Sequence, residues 1–253
     1  MSQKTVKLVF AGTFLIALLG FVRVLSERNV WDRWSVTQTG AKVAEDRGEN
    51  GEPGSEKEKK RIILDPGHGG FDPGKVGTLP DGTQVQEKVI NLKVAKKLAA
   101  YLEANDYQVM LTRTEDQALE LEGQGSKKAQ DLKARVAMIE ENHPSLVVSI
   151  HQNSFPQAKI KGAQVFYYQT SQEGFRLATS VQDSLRNLVE PENHRQVKPN
   201  NSYYLLKHVS APIVIVECGF LSNPQECELL TQEEYISRVA WAIAMGIIRD
   251  GVF

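Results

Sequence analysis

Four side chains in this sequence could together bind a metal ion and activate water: His68, Glu87, His151 and Glu217. Imidazole and carboxylate groups are common zinc ligands, and a catalytic zinc site takes three protein ligands and keeps one position for water. A further carboxylate close to such a site can handle the proton of that water. Two histidines, one carboxylate ligand and a second glutamate therefore predict a catalytic zinc hydrolase.

His68 lies in a glycine-rich turn, residues 65–70, directly after a short apolar run. The flanking glycines let the backbone turn sharply and leave the imidazole accessible. A lone histidine in a turn is more often polar surface, but the glycines and the preceding apolar run favour a ligand. Asp65 is a candidate partner that fixes the tautomer of the imidazole, although an aspartate that begins a turn is the simpler interpretation.

The other three candidates lie at the ends of predicted elements. Glu87 begins a predicted helix, where the helix dipole alone would favour an acidic residue. His151 ends an apolar strand and is followed by polar residues, including Asn153. Glu217 ends the most apolar strand, and a carboxylate there is costly to bury unless it is paired. Partial burial would raise the pKa of Glu217 and nearby zinc would lower it; the simpler alternative is a carboxylate that reaches solvent.

Apolar runs alternate with segments of helical period along most of the chain. Predicted strands cover 62–64, 108–112, 146–150, 163–168 and 213–216, and predicted helices cover 87–104, 131–142, 170–188 and 231–249. The strands are continuously apolar, which is typical of a sheet covered on both faces. The sequence therefore predicts a single α/β domain with a mainly parallel (mixed) twisted sheet of about six strands and helices on both faces.

Parallel strands also predict where the candidate residues should meet. Functional sites in open α/β sheets lie beyond the carboxyl ends of the strands. His68 and His151 each follow a predicted strand, and Glu217 closes another. These three side chains should therefore lie at the same edge of the sheet.

The N-terminal region is predicted to differ from the rest of the chain. Residues 8–22 carry no charge and follow Lys4 and Lys7, so residues 1–25 are predicted to be either a membrane anchor or a cleaved signal segment. Both alternatives export the remainder. Residues 26–60 are predicted to form a charged flexible tether, because they have no apolar period. Residues 61–253 are then the folded catalytic domain.

Charge and cysteine content limit the possible partners and compartments. The 253 residues have a formal net charge of −1, which argues against nucleic acid as a partner, because that requires a clustered basic surface. Two cysteines, Cys218 and Cys227, are few for a disulfide framework. We expect Cys218 to pack as a small apolar side chain and, by strand alternation, to face away from Glu217. A bridge between the two cysteines is possible.

The motifs around the candidate residues resemble those of the zinc-dependent N-acetylmuramoyl-L-alanine amidases of the amidase_3 type. The similar segments are residues 61–70, Glu87 at the start of a helix, residues 149–154 and residues 216–223, with lesser motifs at Thr112-Arg113 with Asp116 and at Leu132 with Arg135. The resemblance runs from Arg61 to the C-terminus, with the motifs in the family's order. It implies one zinc ion bound by His68, Glu87 and His151, with Glu217 as the catalytic acid/base and Asn153 lining the site.

Within this family, the run at residues 29–36 resembles the tether of the CwlD-type germination-specific amidases of spore-forming bacteria. The resemblance implies hydrolysis of the amide bond between the lactyl group of N-acetylmuramic acid and L-alanine in spore cortex peptidoglycan, a step toward muramic-δ-lactam. It implies peptidoglycan strands with stem peptides as the partner, a possible accessory protein, and a location on the cell-wall side, between forespore and mother cell. A non-catalytic peptidoglycan-binding domain and a zinc peptidase or deacylase remain the alternatives, and the oligomeric state is open.

Overall fold

The structure, a computed structural model, describes residues 59–119 and 123–251. The predicted anchor or signal segment, residues 1–25, and the predicted tether up to residue 58 lie outside the described residues. Among the residues that are described, no helix combines the length and the apolar character that crossing a membrane requires.

Eight strands and six helices form the described part of the chain. The strands are β1 (Arg61–Pro66), β2 (Val76–Thr78), β3 (Gln84–Gln86), β4 (Gln108–Leu111), β5 (Leu146–Asn153), β6 (Gln164–Tyr168), β7 (Lys198–Asn200) and β8 (Ile213–Phe220). The helices are α1 (Glu87–Glu103), α2 (Lys127–Glu141), α3 (Gln172–Leu188), α4 (Tyr204–His208), α5 (Pro224–Leu229) and α6 (Glu233–Asp250). All five strands and all four helices predicted from the sequence are present, with ends shifted by a few residues.

A six-stranded sheet in the order β4-β1-β5-β8-β6-β7 forms the centre of the fold. Strands β4, β1, β5 and β8 are parallel to one another. Strand β6 is antiparallel to β8, and β7 is parallel to β6. The predicted mainly parallel, mixed sheet of six strands is confirmed.

Helices cover both faces of this sheet, as predicted. On the first face, α1, α3 and α6 pack against side chains that include Ile62, Val148 and Val214. On the second face, α2 and α4 pack against side chains that include Ile63 and Val147. Because side chains alternate along a strand, a residue two positions further along each strand lies on the same face.

This alternation brings the polar ends of three strands to one face at one edge. By this alternation, the second face carries Asp65 of β1, His151 of β5 and Glu217 of β8. His151 is the register partner of Glu217 in the parallel pair β5–β8. Cys218 lies on the first face, within the core that α1, α3 and α6 cover, so its predicted orientation away from Glu217 is confirmed. Cys218 and Cys227 are both free and buried.

Candidate metal centre

A cavity of about 350 Å³ lies at the carboxyl ends of β1, β5 and β8. All six residues that the sequence singled out line it: Asp65, His68, Glu87, His151, Asn153 and Glu217. The expectation that the strand ends meet at one edge is therefore correct, and the start of α1 adds Glu87 to the same cavity.

Three of these side chains converge on a single point. His68 Nε2 lies 3.2 Å from Glu87 Oε1, and His151 Nδ1 lies 3.0 Å from the same oxygen. His68, Glu87 and His151 each offer one potential ligand atom, and these three atoms all lie within 4.8 Å of one another. Two imidazole nitrogens and a carboxylate oxygen are the donor set that zinc takes in catalytic sites, so the cluster could hold such a metal.

Glu87 is a buried carboxylate whose position is fixed by several donors. Its side chain, only 2% exposed, accepts hydrogen bonds from the backbone N–H of Lys75 at 2.7 Å and of Gln152 at 3.0 Å. Burial alone would raise the pKa of Glu87, but hydrogen bonds from His151 and His68 and their positive charge hold it well below its ordinary value. Glu87 is therefore an ionised carboxylate that its hydrogen bonds hold in place.

His68 has a left-handed backbone conformation, with φ of 63°, and its ring is oriented by an aspartate four residues further on. His68 Nδ1 lies 2.9 Å from Asp72 Oδ2. Burial opposes ionisation of Asp72, but hydrogen bonds from His68 and from the N–H of Gly74 lower its pKa to about 2. A carboxylate on Nδ1 leaves Nε2 as the ring nitrogen for the cluster.

Asp65 does not make the hydrogen bond to His68 that the sequence suggested. Its carboxylate accepts instead from Thr112 Oγ1 and Ser149 Oγ, each at 2.7 Å, and from Arg135 Nη1 at 2.6 Å. Strand alternation directs Asp65 toward α2, while the turn after β1 carries His68 away from it. Asp65 lines the cavity as predicted, but the carboxylate at His68 Nδ1 is that of Asp72, which sequence analysis missed.

Two buried arginines hold the turn that carries His68. Arg135 Nη2 donates to the carbonyl oxygen of His68 at 2.7 Å, and Arg135 Nε pairs with Asp131 at 2.8 Å. Arg113 donates to the carbonyls of Pro66 at 2.9 Å and Gly67 at 3.1 Å. Hydrogen bonds from a fixed, planar guanidinium restrict the carbonyls they reach, so these arginines determine where the His68 imidazole lies.

Close packing explains two glycines beside the cluster. A Cβ atom on Gly67 would lie 2.1 Å from His151 Cε1, which the ring could not tolerate without moving. A Cβ atom on Gly74 would lie 2.5 Å from Glu87 Oε2, and Gly74 also has a left-handed φ of 69°. Side chains at either position would displace a member of the cluster.

Glu217 is a further carboxylate of the cavity wall. It is 8% exposed, and its Oε2 atom has no hydrogen-bond partner among the described residues. Burial raises the pKa of Glu217 to about 7; Glu87 raises it as well, whereas His151 and His68 lower it. A buried carboxylate oxygen without a partner is costly, so this oxygen is available for a group that enters the cavity.

The fold and this site together define a class. A mixed α/β sheet carries a His-Glu-His cluster and an unpartnered glutamate at the carboxyl ends of its parallel strands. Residues 62–249 match the Amidase_3 family, described as N-acetylmuramoyl-L-alanine amidase. The chain belongs to this family.

Several N-acetylmuramoyl-L-alanine amidases are similar to this chain. A germination-specific N-acetylmuramoyl-L-alanine amidase of Bacillus subtilis (strain 168) is 36% identical over 252 residues, which cover 98% of this chain and 96% of the relative. The CwlD amidase from Clostridioides difficile, solved in complex with the GerS lipoprotein, has a TM-score of 0.71 and 42% sequence identity over 76% of this chain and 98% of that chain. An N-acetylmuramoyl-L-alanine amidase from Clostridium difficile 630 has a TM-score of 0.65 and 30% identity, covering 76% of this chain and 96% of that chain.

Proposed function

We propose that this protein is a zinc-dependent amidase that hydrolyses the bond between the lactyl group of N-acetylmuramic acid and L-alanine of the stem peptide. The observation that carries the proposal is the convergence of His68, Glu87 and His151 within 4.8 Å of one another, beside a buried glutamate without a partner. His68, Glu87 and His151 would hold one zinc ion per chain. The family membership of residues 62–249 supports the amide bond as the target.

The reaction needs proton transfer at two points, and Glu217 is the group we assign to both. When bound, zinc supplies Lewis-acid chemistry: it polarises a carbonyl oxygen and lowers the pKa of water. Glu217 would accept a proton from the attacking water and return it to the departing amine of L-alanine. The water oxygen ends in the lactyl carboxylate, and the carbon–nitrogen bond breaks to release the peptide. Asn153, on the same wall, would line the substrate channel.

We also propose a role in spore cortex maturation. The relative from Bacillus subtilis is named a germination-specific amidase and is similar along nearly the whole chain. This role would require export by residues 1–25, as anchor or signal, with residues 26–60 as a tether and residues 61–253 as the catalytic domain on the cell-wall side. The CwlD neighbour was solved with a lipoprotein, which supports an accessory protein as a possible partner here.

Product analysis with the full-length protein tests the proposal. Zinc content is measured by elemental analysis, cortex peptidoglycan is then digested, and the fragments are identified by mass spectrometry. The expected result is one zinc ion per chain, with free stem peptides that begin at L-alanine and muramic acid without peptide. A stem shortened from within would indicate a peptidase, and binding of peptidoglycan without cleavage would favour the non-catalytic alternative.

Replacement of Asp72 by asparagine tests how the ligand His68 is held. Without the carboxylate on Nδ1, the ring loses the partner that fixes its tautomer and raises its basicity. We expect Asp72→Asn to weaken zinc binding by about 10- to 100-fold, measured by competition with a chelator of known affinity. Asp106→Asn, at an exposed aspartate outside the cavity, is the matched control. Equal zinc affinity in both variants would contradict a role for Asp72 in orienting His68.

A further inference from the structure

One lysine of the cavity has no charged partner. Lys88 pairs with Asp116 at 2.8 Å, and Lys128 pairs with Asp72 at 3.2 Å. Lys75 lines the cavity and is exposed, and among the described residues it forms no ion pair. Its ammonium group is therefore available to a ligand, whereas those of the neighbouring lysines are already engaged.

The backbone of Lys75 is tied to the metal cluster itself. Its N–H donates to Glu87 Oε2 at 2.7 Å, and its carbonyl oxygen accepts from the N–H of Glu87 at 2.9 Å. Gly74, in the left-handed region, sets the turn just before it. The flexible side chain of Lys75 thus begins at a point fixed relative to Glu87, and as an exposed residue that lines the cavity it lies at the cavity mouth.

Several carboxylates line the cavity together with Lys75, so the positive charge of Lys75 matters for the binding of an acidic ligand. The carboxylates that line it belong to Asp65, Asp72, Glu87, Asp131 and Glu217. Arg135 pairs with both buried carboxylates, Asp65 and Asp131, whereas Glu217 forms no ion pair among the described residues. Lys75 and Glu217 line the same cavity, so an anion bound beside Glu217 lies in the cavity that Lys75 borders. An acidic ligand would be repelled by Glu217 and attracted by Lys75.

We propose that Lys75 determines substrate specificity by pairing with a carboxylate of the stem peptide, so that acidic stems bind better than amidated ones. This inference rests on the proposed function, because the acidic ligand is the peptide that follows the scissile bond. At one position a stem peptide can present either a free carboxylate or the neutral carboxamide. An ammonium group at the cavity mouth would distinguish these two forms by charge alone.

Two muropeptides that differ only in this carboxylate or carboxamide provide the test. Binding is measured by calorimetry in full-length protein carrying Glu217→Gln, so that turnover does not consume the ligand. In that background Lys75→Gln should weaken binding of the carboxylate form by roughly threefold to tenfold and leave binding of the carboxamide form unchanged. Lys75→Arg should retain the preference. Lys96→Gln removes the same charge from an exposed lysine of α1 that does not line the cavity, and should change neither affinity.

With Glu217 intact, Lys75→Gln should raise KM for the carboxylate form while kcat stays constant. The inference is overturned if Lys75→Gln weakens both muropeptides equally, changes neither, or lowers kcat instead of raising KM. It is also overturned if neither muropeptide binds to the Glu217→Gln protein. Failure of the proposed function has a different signature: the wild-type protein would then release no peptide from either form, whatever the binding preference.

Discussion

Glu217→Gln is expected to lower kcat for peptide release by about 10²- to 10⁴-fold, the range that a positioned general acid–base group contributes. Glutamine has nearly the same shape but cannot accept the water proton or pass it to the leaving amine. Zinc content should stay at one ion per chain, because Glu217 is not a member of the cluster that His68, Glu87 and His151 form. The measurements are kcat by peptide release and zinc by elemental analysis.

The fold should tolerate this change well. Glu217 Oε2 makes no hydrogen bond among the described residues, so no existing contact to that atom is lost. Glu226→Gln is an informative comparison, because Glu226 is a second buried glutamate, outside the cavity, that accepts from the N–H groups of Gly162 and Phe220. That variant should lower the unfolding temperature and keep its turnover. Near-wild-type kcat in Glu217→Gln would show that another group is the base.

The central strands and the candidate residues at their ends could be predicted from the sequence because both leave strong local signals. Short, largely apolar runs rich in β-branched residues, such as residues 146–150, are typical of buried strands. His68, His151 and Glu217 directly follow or end such runs, so the rule for parallel sheets places them at one edge. Glu87 leaves the weakest signal, since an acidic residue at a helix start is common for other reasons, and it was singled out only because two candidate histidines accompany it.

The sequence did not reveal elements that lack a buried apolar pattern. Strand β7 consists of Lys198, Pro199 and Asn200 at the edge of the sheet, where a proline is tolerated and the side chains are largely exposed. The β2–β3 hairpin buries only one residue per strand, Gly77 and Val85, too few for a period to be recognised. Both are held by contacts with the rest of the domain, and such contacts leave no local pattern in the sequence.

The partners of the polar residues were likewise beyond sequence analysis. Asp65 and Asp72 both lie near His68 in sequence, and local spacing does not say which carboxylate reaches the imidazole. Which carboxylate reaches His68 depends on Arg135 of α2, 70 residues after Asp65 in sequence, because Arg135 Nη1 donates a hydrogen bond to Asp65. Once Asp65 is engaged in the interior, Asp72 in the turn is the carboxylate that remains for His68 Nδ1.

Arg135→Leu is expected to reduce the free energy of unfolding by about 3–5 kcal/mol, the cost of removing one partner from a buried ion pair. Arg135 is 1% exposed, and so is Asp65. Burial alone raises the pKa of Asp65, and it is chiefly the charge of Arg135, with hydrogen bonds from Ser149 and Thr112, that lowers this pKa to about 2. Without the guanidinium, Asp65 and Asp131 lose their cation and the carbonyl oxygen of His68 loses a donor. Chemical denaturation monitored by circular dichroism measures the change.

Arg135→Lys separates charge from geometry in the same network. Lysine keeps the positive charge, but one ammonium group cannot reproduce the planar fork that reaches Asp65, Asp131 and the His68 carbonyl together. We therefore expect Arg135→Lys to recover part of the lost stability and to bind zinc more weakly than wild type, because the His68 turn is less restrained. Arg249→Leu, at an exposed arginine in the last turn of α6, should cost no more than about 1 kcal/mol. If Arg135→Leu also reduces the free energy of unfolding by no more than about 1 kcal/mol, the turn that carries His68 is held by Arg113 and backbone contacts alone.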